Sequence, residues 1–408
     1  MKNKKMIFVV FIVALNLRLG ISSIPPLIGL IKQDLQLNNF QVSLLTSIPV
    51  ICMGVMAFGV KRMQQQFGRD RSILLCLILL AIGTASRSLL SNYLSLVLSA
   101  IVIGFSIAII GPLLSSLIKE FFPQQTGLLI GVYSISMGIG SATASKFSLL
   151  LAEHSWSFAL GSWGVFAIVA GGVWYFVMRQ KAANTATASP ISNGFPLKKI
   201  QAWKMVLFFG LQSGMFYGVS TWLVELLVQK GFSRVDASQY LTIFVIVQMI
   251  FSFIIPVLMD HWGSTRGWIM ICGAMILLGV GCLLTSYFFL LIGGIVLLGF
   301  GLGGYFPIAM LLPLQASDDP MEASLGTGMV QSFGYIVGGV IPILLGVMVD
   351  IFQTFNVFLY VMIILCGGIL LLTIQGRGYE NDEKSESGER NDPTVRKLHS
   401  TKRADDRR

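Results

Sequence analysis

Apolar stretches of about 20 residues, each long enough to cross a bilayer core of about 30 Å, recur along the chain between short polar breaks. The pattern predicts twelve spans, at 6–31, 41–60, 72–90, 93–118, 126–151, 157–178, 203–228, 237–259, 267–286, 288–313, 323–349 and 354–375. Only helices and closed barrels satisfy their backbone groups inside lipid, and runs this continuous predict helices. Two spans open on capping-box patterns, Asn38-x-x-Gln41 and Ser233-x-x-Asp236, in which a short polar side chain meets free backbone donors.

Sliding the second half by 195 residues onto the first brings Phe67-Gly68 onto Trp262-Gly263, Arg71 onto Arg266 and Gly104-Phe105 onto Gly299-Phe300. At an offset of 198, Ser134 meets Ser332 and Gly140 meets Gly338. The expected fold is therefore all-α and membrane-embedded: twelve transmembrane helices in two six-helix bundles. The expected organisation is a bundle over 1–180, a cytoplasmic linker over 181–201, a second bundle over 202–376 and a disordered tail over 377–408. Repeats of parallel orientation point to a transporter with its solute site between the halves at mid-membrane.

Composition agrees with lipid as the main solvent: 54% of residues are hydrophobic, 12% are charged and the mean hydropathy is +0.77. The net charge of +10 raises the question of a nucleic-acid partner, which its distribution answers. Positive residues collect before span one (Lys2, Lys4, Lys5), between spans two and three (Lys61, Arg62, Arg69, Arg71) and about the central linker, whereas the opposite loops hold Lys32, Arg87, Lys230 and Arg234. This is the positive-inside pattern and predicts both termini in the cytoplasm. The five cysteines fall inside apolar segments and the three histidines are scattered, so no metal or disulfide role is expected and no cofactor is implied. Gly299-x-Gly301-x-x-Gly304 formally matches a dinucleotide fingerprint, but it lies inside a hydrophobic span and reads as a helix-packing seam.

Arg18 stands roughly 12 residues into span one, about 18 Å deep. A mid-membrane arginine costs about 2.5–3.5 kcal/mol on insertion scales and belongs in the bundle interior or a water-filled cavity. Its fork of donors suits a carboxylate or another small anion; the alternative is a structural arginine bonded to backbone carbonyls. Ser22 lies one turn on. At the repeat offset Arg18 corresponds to Ser213 in span seven, beside Gln212, with Tyr217 continuing that face; Gln331 and Tyr335 share a face of span eleven. Each of these has packing as its alternative. Secondary candidates are Tyr305 in the glycine-rich tenth span, Lys146 near the outer end of span five, and Arg69 and Asp260 in the two equivalent connections. Trp222 reads as an interface anchor. No acid stands mid-span, so a coupling proton is weakly encoded and cationic solutes fit poorly.

Several pieces carry a family resemblance: Leu17-Arg18 with Pro26-Leu27, Leu44-Leu45-Thr46-Ser47-Ile48-Pro49, Phe67-Gly68-x-x-Arg71-Ser72, Tyr133-Ser134-x-x-Met137-Gly138 and Gly328-Met329-x-Gln331-Ser332-x-Gly334-Tyr335. Over residues 6–375 the chain resembles the major facilitator superfamily, and within it the cyanate and nitroimidazole permease group. The family's loop between spans two and three departs here, with Lys61 and Gln65 at its glycine and acid positions. The resemblance implies a transporter rather than an enzyme, working by alternating access on a small anionic or nitrogen-containing polar solute. Efflux of amphipathic antimicrobial compounds is the alternative. The expected setting is the cytoplasmic membrane, as a monomer, since one chain holds both halves of the site.

Overall fold

Asn38 and Gln41 form the reciprocal cap expected of them. The Asn38 side chain accepts from the Gln41 backbone at 2.7 Å, and the Asn38 N–H donates back to the Gln41 side chain at 3.0 Å. Ser233 likewise accepts from the Asp236 N–H at 3.1 Å. These caps open the second and eighth of the long helical spans. The computed structural model describes residues 2–122, 126–179, 199–261, 264–285, 287–316 and 320–375. Span one is Lys2–Ser22, a tight turn Pro25–Leu27 and Ile28–Asp34; span two is Asn39–Met56, a turn Ala57–Gly59 and Val60–Phe67. Spans three to six are Arg69–Leu89, Tyr93–Phe121, Thr126–Leu151 and the pair Trp156–Ser162 and Gly164–Arg179. Spans seven to twelve are Ile200–Gln229, Arg234–His261, Thr265–Leu284, Phe288–Gln315, Pro320–Phe352 and Asn356–Gln375. Most of the expected linker and the whole tail lie outside the described residues, as do the Asp260 side chain and Trp262-Gly263.

Among the described residues, ten of these spans are long and apolar enough to cross a membrane on their own composition. Span seven is interrupted by Ser, Thr and Gly and by Gln212. Large apolar side chains stand exposed on spans three, six and twelve, among them Ile82, Ile168, Phe176 and Ile364. In water such faces would drive aggregation; in a bilayer they are the lipid surface.

Buried apolar residues of the second half form one core drawn from Ala202–Ile369, and those of the first half form a main core drawn from Met6–Met178 with two smaller clusters about Ile24–Leu160 and Leu19–Trp163, so each half has its own interior. The halves meet chiefly through span two against span eleven and span five against span eight. Small residues make close approach possible. A Cβ on Gly104 would stand 2.6 Å from the Pro49 backbone of span two, and Gly303 lies against the Gln248 backbone of span eight. Gly68, at φ +76°, turns the chain between spans two and three in a conformation that side chains with a Cβ rarely adopt.

Two side chains sit deeper than their sequence positions suggest. Trp222 is fully buried, donates to the Pro342 carbonyl at 3.2 Å and packs on Phe355 with ring centroids 5.7 Å apart, so it holds spans seven, eleven and twelve together instead of anchoring at the lipid interface. Arg87, counted above among loop charges, lies in the last turn of span three and is 1% exposed. The consecutive prolines explain its place. Pro25 and Pro26 supply no backbone donors, and Ile24 turns to the Ile21 carbonyl at 3.3 Å. The Gly20 carbonyl is thereby left short of its helical partner, and Arg87 donates to it at 2.8 Å while its Nε reaches Ser99 at 2.8 Å.

Candidate functional site

Arg18 lies just before the break in span one and is only half-buried, although its helical neighbours Leu17 and Leu19 are each 2% exposed. The guanidinium reaches across the interface between the halves and donates to the Tyr217 hydroxyl of span seven at 3.1 Å. Its carbon lies 5.9 Å from the Tyr217 ring centroid and 6.0 Å from that of Phe216, a geometry in which aromatic faces stabilise a cation. The hydroxyls of Tyr335 on span eleven and Tyr133 on span five are close enough to act on the same charge. One cation thus stands among aromatic rings drawn from both halves.

Beyond Arg18, toward the end where span one finishes, hereafter the far end, the interior is nearly closed. A cavity of about 20 Å³ lined by Arg18, Ser22, Thr46, Tyr217, Ser220 and Thr221 remains, room for about one water. Hydrogen bonds between the halves seal this end. The Thr221 hydroxyl donates to Thr46 at 3.1 Å and Ser238 donates to the Ser145 carbonyl at 2.9 Å. At the rim, Asp350 at the end of span eleven accepts from the backbone N–H groups of Asn39 and Phe40 at 3.0 and 2.9 Å, and from the Asn39 side chain at 2.7 Å. A carboxylate therefore sits on the positive end of span two, while Lys32 donates to Asn39 at 2.8 Å.

The other sequence-derived candidates distribute unevenly. Ser22 bonds Ser141 of span five at 2.7 Å, near the cation. Tyr335 packs edge-on against Phe209, with centroids 5.0 Å apart, and Gln331 on the same face donates to the Met310 sulfur at 3.3 Å. Gln212 and Ser213 are 1% and 3% exposed and bond one another at 2.8 Å; Ser213 lies against Gly338 of span eleven. Tyr217, four residues on, is the residue of span seven that meets Arg18. Tyr305 is fully buried inside the second half and donates to the Ile269 carbonyl at 3.2 Å, away from the interface between halves. Lys146 is exposed at the far end, over the Phe147 ring at 5.6 Å. Arg69 pairs with Asp70 and with Glu120 at the end of span four, fastening a connection within the first half. Span eight carries Asp260 to its end at His261, and the Asp260 side chain is outside the described residues.

Tyr133, Phe216, Thr46 and Asp350 join these from outside the sequence-derived set. Tyr133, Met137, Ser141 and Ser145 recur every fourth residue, a single helical stripe that marks the inward face of span five. Asp350 carried no such stripe, because its partners, two backbone N–H groups and the Asn39 side chain, lie more than 300 positions away.

Comparison with known proteins gives this arrangement its context. Residues 7–320 match the family model of the Major Facilitator Superfamily. An uncharacterized transporter, YycB of Bacillus subtilis, is 30% identical over 91% of this chain and 92% of its own. The cyanate transport protein CynX of Escherichia coli is 28% identical over 84% of this chain and 89% of its own, and the 2-nitroimidazole transporter of Escherichia coli is 30% identical over 83% and 86%. Among solved structures, the nucleoside transporter NupG superposes with a TM-score of 0.70 at 15% identity, covering 91% of this chain and 98% of that one, which speaks to fold. With its two six-helix halves and the family match across most of its length, this chain belongs to the major facilitator superfamily and is a multi-pass membrane transporter.

Proposed function

We propose that the protein is a secondary-active permease of the cytoplasmic membrane that carries a small anionic or nitrogen-containing polar solute by alternating access, both termini facing the cytoplasm. The observation that carries this reading is the Arg18 guanidinium, held across the interface between halves by the Tyr217 hydroxyl and flanked by aromatic rings. A guanidinium in that setting offers a fixed charge and paired donors to a planar anion or a nitro group. Since the far side of Arg18 has room for about one water, cargo is expected on its near side, toward Tyr133, Gln331 and Tyr335. The relatives that carry cyanate and 2-nitroimidazole support planar, conjugated cargo of this kind.

Thermal stabilisation of the purified protein tests the reading, since a ligand that binds the folded state raises its apparent melting point by mass action. Cyanate, nitrate and azole carboxylates are expected to stabilise wild type and to leave a folded Arg18→Gln variant unchanged. Equal stabilisation of both proteins by cationic amphipathic drugs, with no response to anions, would overturn it in favour of efflux.

A further inference from the structure

None of the 19 acidic residues stands in the middle of a span. Glu225, the deepest in sequence, lies about one turn from the end of span seven and is committed to Arg234, while Asp350 is committed to the start of span two. Among the described residues, Arg18 meets the Tyr217 hydroxyl and the rings of Tyr217 and Phe216, and its hydrogen bond and ring contacts include no carboxylate. The central site therefore carries one permanent positive charge, because a guanidinium does not give up its proton in a protein.

We propose that this transporter is an anion exchanger: it switches readily when Arg18 holds an anion and slowly when it is empty. The inference rests on Arg18 being the anion anchor. Switching closes one gate before the other opens, so the site passes through a state cut off from water at both ends. A lone charge is strongly disfavoured in such a state, and one that has gained a monovalent partner is not. Tyrosine hydroxyls and ring faces soften this penalty for the empty form without removing it.

Membrane voltage gives the idea a sign. The field falls across whichever gate is closed, so switching gates moves the site charge from one side of the field to the other. The loaded site is neutral and moves without regard to voltage. The empty site is a cation, and an inside-negative potential holds it facing inward. Net import requires the empty site to return outward and is opposed; exchange never uses the empty form and is indifferent. Net export uses the empty form only in its favoured direction. The closed far end, sealed by Asp350, Thr46 and Ser238, is the state such a potential selects.

The test uses the full chain in proteoliposomes. Cyanate, nitrate, formate and nicotinate are first ranked by thermal stabilisation, and the strongest is used as a radiolabelled probe. Uptake into vesicles loaded with the same unlabelled anion is expected to be at least about tenfold faster than into vesicles loaded with gluconate. An inside-negative potassium diffusion potential should slow uptake into gluconate vesicles and leave exchange unchanged, whichever way the protein is inserted, because the sign depends only on the charge. Residual exchange through Arg18→Gln, whose loaded site is an uncompensated anion, should become voltage-dependent. Binding with equal uptake into loaded and gluconate vesicles would overturn the exchange inference alone. Residual exchange through Arg18→Gln that stays indifferent to voltage would place the compensating charge elsewhere and overturn it too. If none of the four anions binds, the anion site itself falls, and this inference with it.

Discussion

Asp350 makes the far-end seal between spans two and eleven measurable. Its carboxylate takes three hydrogen bonds from the first turn of span two, at 2.7, 2.9 and 3.0 Å, and all three cross the boundary between the halves. They exist only while that end is shut. A hydrogen bond to a charged group contributes about 1.5–3 kcal/mol, and an anion on a helix N-terminus contributes about 0.3–1 kcal/mol. Three bonds sharing one half-buried carboxylate fall well short of three times the single value, since water replaces part of them on opening. We take about 2–3 kcal/mol for the set. Asp350→Ala should then move the closed-to-open equilibrium of the far end by roughly 30- to 150-fold toward open, at about 1.4 kcal/mol per factor of ten. Spin labels at exposed Gln33 and Gln353, in a background with the five native cysteines replaced, would report this as a second, longer distance population by pulsed electron resonance. Asp350→Asn, which keeps one acceptor oxygen, should lie between. A distance distribution in Asp350→Ala indistinguishable from the parent would show that apolar packing of spans two and eleven closes this end and that the carboxylate is incidental.

Trp222→Ala empties a fully buried site and removes a donor to Pro342, so its apparent unfolding midpoint in detergent should fall by an amount equivalent to about 3–5 kcal/mol; Trp222→Phe, which fills most of the volume, should lose less than half of that. Gly104→Val drives a branched side chain into the Pro49 backbone, where a Cβ would already stand at 2.6 Å, and should abolish recovery of folded protein while Gly172→Val, facing open space, leaves yield unchanged. Lys146→Gln removes an exposed ammonium whose interactions are worth about 1 kcal/mol at most, so anion binding by that variant should stay within about a factor of two of wild type.

How much of this was legible in the chain depends on what was being read. Hydropathy placed the twelve spans, because a run of apolar residues has no other way to sit in a bilayer; the ends slipped by several residues, as span one continues to Asp34 and span seven opens at Ile200. Depth pointed to Arg18, which in the structure reaches across the halves to Tyr217. Rotation was not readable in the same way. The repeat offset aligns Arg18 with Ser213 along the axis, yet the side chain it meets is Tyr217, a full turn away, while Ser213 turns to Gly338 of span eleven. The two arginines of the first half also divided their roles unexpectedly. A guanidinium tied to backbone carbonyls was the alternative weighed for Arg18, and it describes Arg87 instead. Arg87 looked like a loop charge because it sits three residues before Leu90, where hydropathy stops; nothing local reveals that the proline pair in span one leaves a carbonyl in need of a donor.

The polar interruptions of span seven have a consequence for how the protein is made. Insertion into a bilayer rewards each emerging segment for its own apolarity, and span seven is not among the described spans apolar enough to cross on their own. It carries the Gln212, Ser213 and glycines that face its neighbours in the finished molecule, so its stable residence in lipid depends on helices still to be synthesised. It lies against spans ten and eleven, both made later. The nascent chain is therefore expected to hold one weakly committed segment at the translocation machinery until its partners arrive, and the same residues that give the carrier its moving surface set the order in which it can be assembled.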